Sequence, residues 1–356
     1  MSSRAVLAWA FVGALAAACH AGGSTDPGTT GTGATASGGT AGAGGATTTS
    51  TTTNIGGFST GGSGGSQADA ILYVHSNTTL YRGDPSVAPL TLELLGDFDC
   101  VAVPAGPGQT TSMTDVAVNR EGALWGLSSY SIYQIDPQPG AVHCSNRVSL
   151  NNPSPFYGVT FAPEGVLDPS TEVLVAGNSA GELWSIDGNG NLAQRGTFGL
   201  VPADDGHGHV YANAGQPWEL SGDIVFLYNG GSPVGFATVR DCPNPPDPLN
   251  CNKTDTLIEL DVPALATATT QSVTKSVRGQ VVKRAGCSDA ANQSYGSMYG
   301  IAAFQSSVFG FSRNTNGGFA VEVSNVDGTA CLVQSYTDKW AGAGITTLAP
   351  VIAPPN

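Results

Sequence analysis

Gly342-Ala343-Gly344-Ile345-Thr346-Thr347-Leu348-Ala349-Pro350 is the last patterned stretch of the chain, and it reads as the opening strand of a unit that never continues. Its counterpart inside the chain is Tyr157-Gly158-Val159-Thr160-Phe161-Ala162-Pro163, which does lead into further strands. The other end shows the complementary defect. Ile71-Leu72-Tyr73-Val74 matches the second strand of later units, and no opening strand precedes it. A strand missing at one terminus and spare at the other is what closure of a ring through a shared sheet requires. Closure also removes the unpaired edges that an open array of strands would leave.

Repeats between these ends support the ring. Thr79-Leu-Tyr81-Arg-Gly-Asp84 aligns with Ser131-Ile-Tyr133-Gln-Ile-Asp136, Glu182-Leu-Trp184-Ser-Ile-Asp187 and Thr256-Leu-Ile258-Glu-Leu-Asp261, with a degraded copy at Phe319-Ala-Val321-Glu-Val-Ser324. The pattern is a strand with alternating burial that ends in an Asp able to cap a turn with its own side chain. Opening strands precede it at Thr114-Asp115-Val-Ala-Val118, Tyr157-Gly158-Val-Thr-Phe161 and Tyr299-Gly300-Ile-Ala-Ala303. Each unit therefore holds about four strands in roughly 40–60 residues, the scale of a β-propeller blade. Five units are counted, and the long spacing from Trp184 to Ile258 leaves six or seven open. The expected fold is an all-β propeller over 69–350, closed by a C-terminal strand, with a short tail at 351–356. Trp125, Trp184, Trp218 and Trp340 are spread through it as inter-blade core residues would be.

The run Gly122-Ala-Leu-Trp125-Gly-Leu, followed by Ile132-Tyr-Gln-Ile-Asp136-Pro-Gln-Pro-Gly140, resembles blades of NHL-type and quinoprotein-like propellers. The resemblance rests on structural residues that many unrelated activities share. Where the quinoprotein docking motif adds a Trp, Val142, His143 and Cys144 stand here, so no quinone cofactor is expected.

The leader is a separate matter. One Arg at position 4, an apolar run from Ala5 to Ala18 and then Cys19 make a secretory signal peptide over 1–18, too short for a permanent span. Leu15-Ala-Ala-Ala-Cys19 resembles the lipobox of bacterial lipoproteins, although the bulky residue sits four places before the cysteine rather than three. The resemblance implies acylation of Cys19 and, with His20 rather than Asp following, sorting to the outer membrane. An ordinary signal peptide cut after Ala18 is the alternative. From 20 to 68 all but seven residues are Gly, Ser, Thr or Ala. Such a stretch cannot bury enough apolar surface to offset its ordering entropy and is expected to be a disordered tether, spanning roughly 35–40 Å as a Gly-rich coil.

Seven cysteines less Cys19 leave an even six, which in an exported chain suggests three disulfides. Cys242 and Cys251 bracket a proline-rich loop. Cys100–Cys144 and Cys287–Cys331 are the expected remaining pairs, and the absence of any Cys-x-x-Cys argues against a zinc site. A net charge of -14 excludes nucleic acid as a main partner, and no apolar run is long enough for a spanning helix.

Candidate chemistry is thin. Asp204-Asp205-Gly-His207-Gly-His209 is the one dense cluster of ligand types, and could hold calcium or zinc or be a solvated loop. Asp187-Gly-Asn189-Gly-Asn191 begins like a calcium loop but has Leu192 and Phe198 where Gly and Glu are needed, so it reads as a turn. Asp115, Tyr157 and Tyr299 start opening strands and would line the central funnel, where the tyrosines either stack on a flat ligand or pack between blades. A gluconolactonase-like propeller hydrolase needs Glu, Asn and Asp there, and only Asp115 qualifies. The expected function is a monomeric, non-catalytic propeller of the cell envelope, anchored to the membrane by lipid or else secreted, that binds a glycan or protein partner. The alternative is an exported metal-dependent enzyme, lactonase-like or sugar dehydrogenase-like.

Overall fold

A computed structural model describes residues 70–138, 140–229, 232–243, 251–290, 293–304 and 307–348. The signal peptide, Cys19, the tether and the tail at 351–356 lie outside the described residues, as does most of the loop between Cys242 and Cys251.

The first blade begins with β1 (Leu72–His75), β2 (Thr79–Gly83) and β3 (Leu92–Asp97). The second holds β4 (Asp115–Val118), β5 (Leu124–Ser128), β6 (Ser131–Gln138) and β7 (Ala141–Ser149). The third holds β8 (Phe156–Ala162), β9 (Val173–Asn178), β10 (Glu182–Ile186) and β11 (Leu192–Thr197). The fourth holds β12 (Glu219–Asn229), β13 (Ser232–Arg240), β14 (Thr256–Leu260), one helical turn α1 (Val262–Leu265) and β15 (Thr274–Gln280). The fifth holds β16 (Met298–Phe304), β17 (Ser307–Arg313), β18 (Gly318–Val323) and β19 (Ala330–Tyr336), after which β20 (Gly342–Ile345) returns to the first. Five antiparallel sheets of four strands result, one of them in the order β20-β1-β2-β3.

The closure is as the termini predict. β20 pairs with β1 in the register Leu72↔Ile345, Tyr73↔Gly344, Val74↔Ala343 and His75↔Gly342. There are five blades, which settles the count. The long spacing between Trp184 and Ile258 is taken up by a loop over 198–218 and the extended β12–β13 hairpin, not by a sixth sheet.

Each sheet is buried on both faces, because each has a blade on either side. Alternate residues of a strand therefore point to opposite neighbours. On β12, Ile224 and Phe226 pack toward the third blade, while Val225 and Leu227 pack toward the fifth. One apolar cluster fills each of the five junctions between blades. Trp125, Trp218 and Trp340 sit in three of them, and Trp184 packs against one from a half-buried position.

The capping role expected of the repeat's Asp holds in some blades only. Asp84 accepts the backbone N–H of Ser86, and Asp187 accepts those of Asn189 and Asn191, so the calcium-like sequence is a turn. Asp136 lies within a strand that runs on to Gln138, and Asp261 makes no side-chain cap bond to α1. Three disulfides form, Cys100–Cys144, Cys242–Cys251 and Cys287–Cys331. The first and third join each outer strand to the connection that leaves the preceding blade, beside the bridges Phe98↔Val142 and Lys283↔Ala330. They tie neighbouring blades together at their outer strands.

Candidate functional site at the mouth of the ring

The first strand of each blade begins, and the second ends, at the same rim of the ring. Three of the opening strands carry a β-bulge there, that of β12 between Leu220 and Ile224 without an aromatic residue, and those of β8 and β16 with one. The pairing of β8 with β9 slips between Phe156 and Gly158, and that of β16 with β17 slips between Met298 and Gly300, leaving Tyr157 and Tyr299 as the extra residues. The glycine that follows each tyrosine is demanded by the neighbouring blade. A Cβ on Gly158 would overlap the Gly222 carbonyl, and one on Gly300 would overlap the Ala343 nitrogen. The Tyr-Gly pair thus lets the inner strands touch while the bulge re-aims the aromatic side chain.

Tyr157 is 38 % exposed at the rim. Tyr299 is half-buried, with the Arg313 guanidinium carbon 4.2 Å from its ring centre and that of Arg240, at the end of β13, 6.0 Å away. Burial by itself would raise the Tyr299 phenol, but the two cations and hydrogen bonds from Ser297 and Arg240 pull it below the usual phenol range. Ser297 holds a left-handed φ of 52°, uncommon outside glycine, and so turns the chain into the bulge. Glu219, at the start of β12, completes the rim, and burial holds its carboxyl above the usual range against the pull of Arg240. Beside it lies a cavity of about 400 Å³, lined by Ser154, Ser179, Pro217, Trp218 and Glu219 among others.

Beneath the rim are four fully or almost fully buried polar residues: His75, Asp115, Asp223 and Asp255. The carboxylates tie blades together. Asp115 Oδ2 accepts the Val159 N–H at 2.6 Å, Asp223 Oδ2 accepts that of Ile301 at 2.8 Å, and Asp255 Oδ2 accepts the Met298 N–H at 2.7 Å and the Ser221 hydroxyl at 2.6 Å. Asp115 and Asp223, from the second and fourth blades, lie near enough to influence each other's ionisation. Burial out of water disfavours the charged form of each, so both carboxyls are raised well above the usual range. His75 Nδ1 donates to the Ser76 carbonyl at 2.7 Å, which leaves the lone pair on Nε2, 3.9 Å from Asp115 Oδ1. Burial lowers the imidazole to about 4, so it is neutral at pH 7. Asp115 is thus placed below the funnel it was expected to line, joining blades rather than facing solvent.

The cluster Asp204, Asp205, His207 and His209 lies on one loop. Burial raises the Asp205 carboxyl, but this is outweighed by the His209 N–H and ring Nδ1–H and the N–H groups of His207 and Gln280, which bring it to about 2. Both of its oxygens are engaged, at 2.7–3.3 Å. Since its folded value lies below the ordinary 3.8, Asp205 stabilises the protein fully above about pH 4, and the contribution is lost as pH falls towards 2. Asp205→Asn is expected to cost about 2 kcal/mol at pH 7 and to flatten the acid limb of the stability curve, checked by urea unfolding from pH 7 to pH 2.5. Among the described residues, the groupings that do converge as metal ligands are Asp99 with Cys100 and Cys144, and Glu219 with Cys242 and Cys251. In both the sulfurs are joined in disulfides, so neither offers a thiolate.

His75, Asp223, Asp255, Arg240 and Arg313 were not legible as site residues from the sequence. A signal existed for one of them. Asp223-Ile-Val-Phe226 repeats the register of Asp115-Val-Ala-Val118, an Asp opening an inner strand.

No family model matches the chain, and no curated protein matches it. Among solved structures, TolB from Acinetobacter baumannii is 11 % identical with a TM-score of 0.37, over 79 % of this chain and 67 % of that one. A putative 6-phosphogluconolactonase from Bacteroides fragilis is 11 % identical with a TM-score of 0.34, over 77 % and 83 % of the two chains. A protein of unknown function from Bacteroides caccae is 9 % identical with a TM-score of 0.36, over 78 % and 99 %. None of these values assigns a family.

Proposed function

We propose that the protein is a non-catalytic binding module of the cell envelope, a monomer held to the membrane through Cys19 and the 20–68 tether, which takes a ligand or partner at the mouth of its ring. The observation that carries this reading is that two of the three bulged opening strands place a tyrosine in the bulge at the same rim, whereas the β12 bulge shows that blade packing itself does not require an aromatic there. Tyr157 and Tyr299 supply flat apolar faces with a polar tip, and Arg240, Arg313 and Glu219 supply charge around them. The alternative of an exported metal-dependent enzyme, lactonase-like or sugar dehydrogenase-like, draws less support. It would use Asp115 or the Asp204–His209 loop, and Asp115 and Asp205 are both already engaged within the fold.

The test begins with a glycan array and a pull-down from envelope extract, using the mature chain. Tyr157→Ala and Tyr299→Ala are each expected to weaken the captured interaction at least tenfold, with the melting temperature moved by only a few degrees for the exposed Tyr157. Binding that is indifferent to both substitutions would remove the mouth from consideration.

A further inference from the structure

Resting on that reading of the mouth, the charges around Tyr299 narrow what it takes. The chain carries only 13 Lys and Arg against 27 Asp and Glu, yet two of its arginines converge on one tyrosine at the axis. Their situations differ. Arg240 is bound into the fold, with Nη2 donating to the Ser221 hydroxyl at 2.9 Å and Nε 4.0 Å from Asp255. Arg313 meets no carboxylate among the described residues. Its guanidinium lies over the Tyr299 ring, and Nη1 reaches Asn77 Oδ1 only at 3.5 Å, the limit of a hydrogen bond. Arg82, Arg120 and Arg278 pair with acids, and Arg147, Arg195 and Arg284 spend their donors on hydroxyl or carbonyl oxygens, whereas the guanidinium of Arg313 is laid on an aromatic ring at the mouth. In so acidic a protein, a guanidinium oriented by an aromatic face and left without a counter-ion is a fork held ready for a planar anion.

The surroundings limit the rest of that anion. Arg313 occupies a face of Tyr299, so the exposed ring of Tyr157 is the one open to stacking. The adjoining cavity offers the Ser154 and Ser179 hydroxyls and the Pro217 and Trp218 walls. Glu219 stands on the same rim and, with the net charge of -14, opposes a second negative charge on the ligand.

We propose that the mouth binds a singly charged sugar acid, its carboxylate received by the Arg313 fork and its ring laid on Tyr157. Arg240 stands behind as a fixed positive charge, and Tyr299 is a positioning residue that orients Arg313.

The experiment titrates the full mature chain, ¹⁵N-labelled, with D-galacturonate and D-glucuronate, and in parallel with the neutral galactose and glucose. The arginine Nε–H resonances are followed by NMR. Both acids are expected to bind and to shift the Arg313 signal, more weakly as salt is raised, while neither neutral sugar does so. Arg313→Gln should weaken binding of the acids by about 10–100-fold, and Arg313→Lys should lose most of the same, because an ammonium cannot reproduce the fork. Unchanged near-UV circular dichroism would show that the variants remain folded. The proposal is overturned if neutral sugars bind as well as acids, if Arg313→Gln leaves affinity unchanged, or if neither acid shifts an arginine signal. A neutral sugar whose binding is lost in Tyr157→Ala would sink the anion inference and leave the mouth standing as the site. Acids that bind irrespective of both Arg313 and Tyr157 would sink both.

Discussion

A chain ending at Ala341 does not reach a cooperatively folded state. The truncation removes β20, whose four residues are all buried and which is the inner strand of the first blade. β1 keeps β2 but loses its inner partner along its whole length, and Leu72, Val74 and His75, none of which is exposed in the intact ring, line an open edge. The inner strand also seats against the neighbouring blades. Gly344 lies so close to the Val116 carbonyl that a Cβ would overlap it, and Gly342 stands equally close to Gly300 and to the His75 and Asp115 side chains. Losing these contacts together exceeds about 5 kcal/mol, comparable with the whole stability of an ordinary domain. The expected observations are a lost near-UV circular dichroism signal, no sigmoidal urea transition and aggregation through the exposed edge. Supplying a synthetic peptide of residues 340–350 in trans should restore part of the signal. A truncated chain that melts with the native transition would show that the ring does not depend on its last strand.

Gly222→Ala is the second large effect. A methyl group there would run into the Met298 carbonyl oxygen and the Tyr299 Cα. Both are backbone atoms, so no side chain can rotate aside and the fourth and fifth blades must separate. Overpacking a core costs typically 1–3 kcal/mol, and with main chain as the obstacle the expected loss is at or above about 3 kcal/mol in urea unfolding. Gly122 is the control. It also needs glycine, for its φ of 82°, but has nothing within 4 Å of the added atom, so alanine there is expected to cost only about 1 kcal/mol. Because Gly222 touches the residue that orients Arg313, its alanine variant should also disturb the Arg313 Nε–H resonance, whereas Gly122→Ala should not. Equal losses at the two positions would contradict the close approach of the inner strands.

The fold was readable because a propeller repeats its instructions. The strand that ends in Asp recurs, the Tyr-Gly pair recurs, and the unequal ends of the chain state how the ring shuts. The fourth blade hid its opening strand, since Glu219-Leu-Ser-Gly222-Asp-Ile-Val-Phe226 lacks the Tyr-Gly pair and its bulge spreads over three residues between Leu220 and Ile224. The site was readable only where it overlapped the repeat, at Tyr157, Tyr299 and Asp115. Arg240, Arg313 and His75 come from the far ends of the second strands of the fourth, fifth and first blades. What brings them near Tyr299 and Asp115 is the ring itself, a long-range arrangement that leaves no mark in local pattern. Asp115 was read as a funnel residue because it starts an opening strand, and such starts would line the centre of the ring. Its burial against the third blade, with Oδ2 accepting the Val159 N–H, is a tertiary event, and it raises the carboxyl instead of leaving it solvated.

The partnership of Val74 with Ala343 also governs the order in which the protein can come into being. Made from its amino end, the chain releases the first blade's outer strands long before the piece that completes them, and four further sheets must be laid down in the interval. Blade one is therefore the last to mature although it is the first to be synthesised, because β1 cannot be covered along its inner edge until β20 has emerged.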